Sequence, residues 1–145
     1  MIKLLDAVAL NFLVGNHDAH GKNFSLLYLP ETGQPVLAPA YDVLSTFAYR
    51  RSHYLTRKMA MSIGGEYRPE YVRARHLDRL FEEAGLGVAA ARRRLRGMAR
   101  DAPGAARNAH QQLIETGWDA PVLGRVVELI DERARWLLDL TAAKA

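Results

Sequence analysis

The chain has 145 residues, a net charge of +4 at neutral pH, 49% hydrophobic and 25% charged residues, and no cysteine. That composition fits one globular domain with a core and excludes disulfides and thiolate metal sites, which suits a reducing cytoplasm. The start Met1-Ile2-Lys3-Leu4-Leu5-Asp6 carries no signal-peptide pattern, and no apolar run approaches the ~20 residues of a membrane span, so the expectation is a cytoplasmic protein with no membrane segment.

In chain order, Leu4, Leu5, Val8 and Phe12 recur at helical spacing and predict a helix over 2–14 stopped by Gly15. Asn16 to Lys22 is a polar loop. Residues 23–29 form an apolar strand-type run, Pro30 to Pro35 a turn, and residues 36–38 a returning strand ended by Pro39. This hairpin has Asn23 at its entrance and Asp42 past its exit, so two side chains 19 positions apart can meet. A loop with Tyr49, Arg50, Arg51, His53 and Tyr54 follows, open to reading as a substrate contact or a plain surface loop. Residues 58–63 predict a strand ended by Gly64-Gly65, with Met59 and Met61 filling core space. The remainder predicts four helices: 69–84, 88–100, a third from about Asp101 to Gly117, and a last one opened by Asp119 and Pro121. Trp118 and Trp136 are expected to pack in the core or between helices. Arg92, Arg93, Arg94, Arg96 and Arg100 form a basic run. With no interleaved aromatic or Gly-rich motif, it is read as a solvated helix face rather than a nucleic-acid contact.

The informative stretch is Gly15-Asn16-His17-Asp18-Ala19-His20-Gly21-Lys22-Asn23-Phe24-Ser25, followed by Tyr41-Asp42-Val43-Leu44-Ser45. An acid, an amide five positions later and a further acid after a hairpin suit phosphoryl transfer from a metal-bound nucleotide. In that reading Asp18 accepts the proton of an attacking hydroxyl, and Asn23 and Asp42 ligate Mg²⁺ through oxygen. The Asp-to-Asn spacing is also that of the protein-kinase catalytic loop. His20 donates to the transferring phosphoryl group and Lys22 adds positive charge, or both only shape the loop. Asn16 and His17 are read as loop-shaping, and Ser25 and Ser45 as local backbone partners. A competing reading takes His17, Asp18, His20 and His53 as ligands of a metal-dependent phosphohydrolase, but it leaves Asn23 and Asp42 without a role.

These two motifs, together with Lys58-Met59-Ala60-Met61-Ser62-Ile63-Gly64-Gly65, resemble the C-terminal domain of the HipA family of serine/threonine kinases, toxins of type II toxin–antitoxin systems. The motif resemblance covers residues 11–65, and residues 69–143 match the family's helical lobe in order and length. The resemblance implies an α+β, mainly helical domain over 1–145, a β-hairpin platform followed by a helical C-terminal lobe. It implies Asp18 as catalytic base, Asn23 and Asp42 as Mg²⁺ ligands, and ATP as phosphate donor. Its implied partners are a protein substrate, often translation-related, and a DNA-binding antitoxin. Nothing ahead of Asp18 reads as a Gly-rich phosphate loop or a strand lysine, so a chain without the N-terminal nucleotide-binding lobe is expected. Such a chain is silent alone. It either works with a separately encoded N-terminal kinase half or survives as a truncated remnant that binds a protein partner.

Overall fold

The computed structural model describes residues 2–49 and 58–142. Arg50, Arg51, His53 and Tyr54 of the expected contact loop lie outside the described residues. The elements are helix α1 (Ile2–Val14), strands β1 (Leu26–Tyr28) and β2 (Pro35–Leu37), then helices α2 (Ala74–Glu83), α3 (Val88–Glu115) and α4 (Pro121–Ala142), with short 3₁₀ turns at Gly21–Asn23, Thr46–Tyr49 and Pro69–Tyr71. The domain is mainly helical with a two-stranded antiparallel hairpin, in which Leu26, Leu27 and Tyr28 face Leu37, Val36 and Pro35.

The core follows from helical periodicity. Leu5, Ala9, Phe12 and Leu13 of α1 meet Ala91, Leu95 and Ala99 of α3 and Ala134, Leu137 and Leu140 of α4; Leu77 and Phe81 close the side beside α2. Helices α1, α2 and α3 all end the same way. At their ends Asn16, Leu86 and Trp118 donate backbone N–H bonds to Asn11, Phe81 and Leu113, while Gly15, Gly85 and Gly117 bond to Phe12, Glu82 and Ile114. This is the Schellman arrangement, which satisfies the last carbonyls of each helix.

Several expectations are corrected. The helices expected over 88–100 and 101–117 are one, α3, with Pro103 inside it. An internal proline costs about 3 kcal/mol, and the extensive α3–α4 packing offsets it. The helix expected over 69–84 is a 3₁₀ turn followed by α2; between them Val72 is extended and wholly buried, which interrupts the helix. The helical half therefore has three α-helices rather than four. Residues 58–63 form no strand, only an isolated bridge between Ile63 and Glu66, because their backbone bonds are spent elsewhere: Ala60 donates to His17 and Met59 to Tyr67. Gly64 touches the α2 backbone so closely that a Cβ there would lie 2.0 Å from the His76 oxygen. Met59 does pack on the core, whereas Met61 is exposed. Trp136 packs against Phe12, but Trp118 is 71% exposed at the α3–α4 turn.

The basic run is solvated at Arg93, Arg94 and Arg100, but three of its arginines also bond to neighbouring helices. Arg92 makes a two-bond pair with Asp78 of α2 (2.8 and 2.6 Å) and Arg94 one with Asp6 of α1 (2.8 and 2.8 Å). Arg96 donates to the Thr141 carbonyl of α4 at 2.6 Å. Three arginines of α3, Arg92, Arg94 and Arg96, thus tie it to each of the other helices, the planar guanidinium matching a carboxylate fork in two of them.

Candidate active site

The loop that follows α1 starts where that helix is stopped. Gly15 has φ +70°, and a Cβ there would lie 2.6 Å from Leu129 Cδ2 of α4 and 3.0 Å from Phe47 Cβ. Only glycine fits both the backbone and the space. The Gly15 carbonyl accepts the Phe47 N–H (3.1 Å) and the Thr46 hydroxyl (3.2 Å), and Thr46 Oγ1 accepts the His17 N–H (2.9 Å). The His17 ring packs against Phe47 at a 42° tilt, with ring centroids 4.9 Å apart. Beneath them the buried Arg133 guanidinium lies 5.0, 5.1 and 5.5 Å from the rings of Phe12, Phe47 and Trp136. Such cation–π contacts strengthen when desolvated, so α4 braces the loop from below.

The buried Asn16 side chain joins three segments. Its amide donates to Asn11 Oδ1 of α1 (2.8 Å) and to the Asp42 carbonyl (3.0 Å), and its oxygen accepts the Asp18 N–H (3.2 Å). Asn11 in turn donates to the Ala7 carbonyl at 2.9 Å. Asp18 and Asp42 therefore hang from one carboxamide anchored to a helix. Sequence reasoning reads Asn16 as loop-shaping, which holds, but misses that it positions both acids. The available signal is Asn11, a buried amide on an otherwise apolar helical face.

Asn23 and Asp42 are brought together: Asn23 Nδ2 donates to Asp42 Oδ2 at 2.7 Å, and Asn23 Oδ1 accepts the His20 N–H at 2.9 Å. The Tyr41 hydroxyl donates to the Lys22 carbonyl at 2.7 Å and lies 2.6 Å from Ser25 Oγ. Ser25 thus pairs with a side chain rather than with nearby backbone, and Ser45 Oγ is buried with no partner among the described residues. Tyr41 clamps the Asp42 loop onto the turn carrying Lys22 and Asn23, a contact the sequence did not disclose. Asp42 has φ +55°, the left-handed conformation, alone among the described non-glycine residues. Aspartate tolerates it, and such strain persists where surrounding bonds impose it.

Asp18 is exposed, with no side-chain hydrogen bond among the described residues, so its carboxylate faces solvent. His20 is half-buried and its Nδ1 takes no partner among the described residues; Lys22 is exposed. A cleft of about 420 Å³ opens beside Asn23, lined on one side by Lys3, Asp6 and Leu10 of α1 and on the other by Pro39, Tyr41 and Val43. Asn23 and Asp42 carry oxygen ligands of the class that suits Mg²⁺, although here Asn23 turns its Nδ2 to Asp42 and its Oδ1 accepts the His20 N–H. Among the described residues no group of three or more His, Cys, Asp or Glu could hold a metal ion. Among the described residues, no helix is long and apolar enough to cross a membrane.

Similarity to known proteins agrees with this geometry. Residues 1–106 match the family model described as HipA-like C-terminal domain. The chain is 46% identical over 95 residues to a Sinorhizobium fredii protein named "Putative kinase Y4mE", covering 66% of this chain and 21% of that protein. It is 34% identical over 83 residues to the serine/threonine-protein kinase toxin HipA of Shewanella oneidensis, covering 57% of this chain and 18% of the relative. The chain thus spans about a fifth of the length of these curated relatives. In three dimensions, 97% of it superposes on 33% of a chain in the Shewanella oneidensis complex of HipA, HipB and operator DNA, with a TM-score of 0.72 at 24% identity. With the family model matching residues 1–106 and the mainly helical fold shared with that complex, the chain belongs to the HipA-like C-terminal domain family.

Proposed function

We propose that this domain is the catalytic C-terminal lobe of a HipA-like serine/threonine protein kinase, with Asp18 as general base and Asn23 and Asp42 as the Mg²⁺ ligands. The observation that carries this is the convergence of the three side chains' segments: Asn16 holds Asp18 and Asp42, and Asn23 bonds Asp42 directly. Mg²⁺ bound by Asn23 and Asp42 would neutralise phosphate charge on ATP. Asp18 takes the proton of the substrate Ser or Thr hydroxyl, His20 donates to the phosphoryl oxygens, and Lys22 raises the local positive potential. The grip on ATP comes from polypeptide outside these 145 residues, in the same product or a separately made half, so the domain alone is silent. A cytoplasmic setting, a protein substrate and a DNA-binding antitoxin complete the reading, the last drawing on the HipB-containing complex that shares this fold. The phosphohydrolase alternative is not favoured: it leaves the bonded Asn23–Asp42 pair without a role, and the His17 ring packs against Phe47.

The test is phosphotransfer from γ-labelled ATP to a Ser/Thr protein substrate by the domain joined to a HipA-type N-terminal half. Asp18→Asn is expected to lower the rate at least ~100-fold, with Asp42→Ala abolishing its Mg²⁺ dependence. Undiminished transfer by Asp18→Asn would remove the assigned base. Phosphate release driven by zinc without ATP would replace the kinase reading with the hydrolase one.

A further inference from the structure

The loop after α1 rests partly on empty space. A cavity of about 70 Å³ lies behind it, walled by Val8 of α1, Leu80 of α2, Ala19 and Phe24 beside the loop's polar residues, and Met59 and Ile63. A single water needs only about 10–15 Å³ of such space. A second void of about 20 Å³, walled by apolar residues alone, continues the first; Val8, Phe12, Ile63 and Leu80 border both. The cause is in the packing. Helices α1 and α2 each pack on α3 and make little direct contact with one another. Ile63, held by the turn whose Gly64 sits on the α2 backbone, fills only part of the gap between them. Of the wall residues Met61 alone is exposed, at 39%, with Ala19 and Phe24 half-buried, so the cavity opens beside Asp18.

We propose that this cavity is a binding site for one compact apolar molecule, an aliphatic or single-ring group of about four to six carbons. The walls select that class. Most of the lining is aliphatic or aromatic, and the two amides that reach it are committed elsewhere: Asn16 donates to Asn11 Oδ1 and the Asp42 carbonyl, and Asn11 to the Ala7 carbonyl. The lining of an empty apolar void forgoes dispersion contacts that a fitted occupant restores. Met59 and Met61 at the wall suit a guest of variable shape, because the unbranched thioether chain adapts to what it meets. Occupancy reaches the loop directly. Asn16 lines the cavity and also holds the Asp18 N–H and the Asp42 carbonyl, so a guest stiffens the seat of both acids. This site stands apart from the kinase reading, and its test needs neither a partner nor catalysis.

The experiment titrates the 145-residue chain with benzene and follows its backbone amides and methionine methyl groups by NMR. The methionines supply both signal and control, since Met59 and Met61 line the cavity while Met98 packs on the core away from it. Saturable shifts are expected at Met59, Met61 and the Asp18 amide, with none at Met98. Pyridine has nearly the same shape but a ring nitrogen to desolvate, and should bind at least ~10-fold more weakly. Leu80→Phe fills the cavity from α2 and should weaken benzene at least ~10-fold. Val8→Leu, a smaller change from the α1 side, should act in the same direction and serves where the larger ring disturbs folding. Shifts that fail to saturate, that appear equally at Met98, or that are unchanged in both filled variants would overturn the proposal. So would tighter binding of pyridine than of benzene, the mark of a hydrated polar void. An Asp18 amide that stays still while both methionines shift would overturn the coupling to the loop.

Discussion

The helical half and the segment from Gly15 to Tyr49 are held by different forces. Helices α1, α2, α3 and α4 share a continuous apolar core, with Leu13, Leu137 and Phe81 almost wholly buried, and Arg92, Arg94 and Arg96 pin α3 to its neighbours. The segment that carries Asp18, Asn23 and Asp42 buries little apolar side chain and is defined by directed hydrogen bonds through Asn16, Thr46 and Tyr41. Core packing is cumulative and tolerates small shifts, whereas a hydrogen bond fails within a few tenths of an ångström. The contrast explains how a loop can hold its side chains in place: it borrows rigidity at the few points where it touches the core, Gly15 against Leu129 and Phe47 over Arg133.

The largest test of this division lies in the core. Phe81→Ala removes a fully buried ring shared by α2 and the main cluster, and should cost about 3–5 kcal/mol in urea unfolding. A loss below about 1 kcal/mol would show that α2 is not part of the cooperative unit. Next in size is Asn16→Ala, which leaves the Asp18 N–H and the Asp42 carbonyl without their shared partner. It should cost about 2 kcal/mol of stability and, in the proposed kinase assembly, lower kcat more than it raises the KM for ATP. Equal effects on both would mean Asn16 serves folding alone.

The smallest effect belongs to the Asp6–Arg94 pair on the helical side. The hydrogen bond from Arg94, partly opposed by burial and aided by its charge, holds the Asp6 carboxyl below its ordinary value of 3.8. A carboxylate with a lowered folded-state pKa adds stability that is full above its unfolded value and is lost as pH falls through the folded value. Because the Arg94 side chain is 53% exposed, solvent screens the pair, and Asp6→Asn should cost no more than about 1 kcal/mol at pH 7. That difference should vanish in unfolding curves taken well below pH 3.8. A difference that persists there would assign it to packing rather than to charge.

Much of the fold was legible because its signals are local. The 2–14 helix, the stops at Gly15, Gly85 and Gly117, the hairpin and the last helix all follow from periodicity and from residues with restricted or permissive backbones. The misreadings share a cause as well. Pro103 and Asp101 look like a helix start, yet α3 runs through them because α4 packs along it. Residues 58–63 alternate like a strand, but a strand needs a partner ladder, and their backbone bonds go to His17 and Tyr67 instead.

At the candidate site, the layout of the chain was enough to foresee that a hairpin could return Asp42 to Asn23, since that depends on a short stretch of chain. What the sequence could not decide was how the acids are oriented. That depends on Asn11, Thr46, Tyr41 and Arg133, which reach the loop from distant elements. Local propensity and motif spacing are properties of neighbours along the chain, so they can be read in one dimension. The direction of a carboxylate is set by whichever groups the fold brings within hydrogen-bonding reach, and only the tertiary structure supplies those.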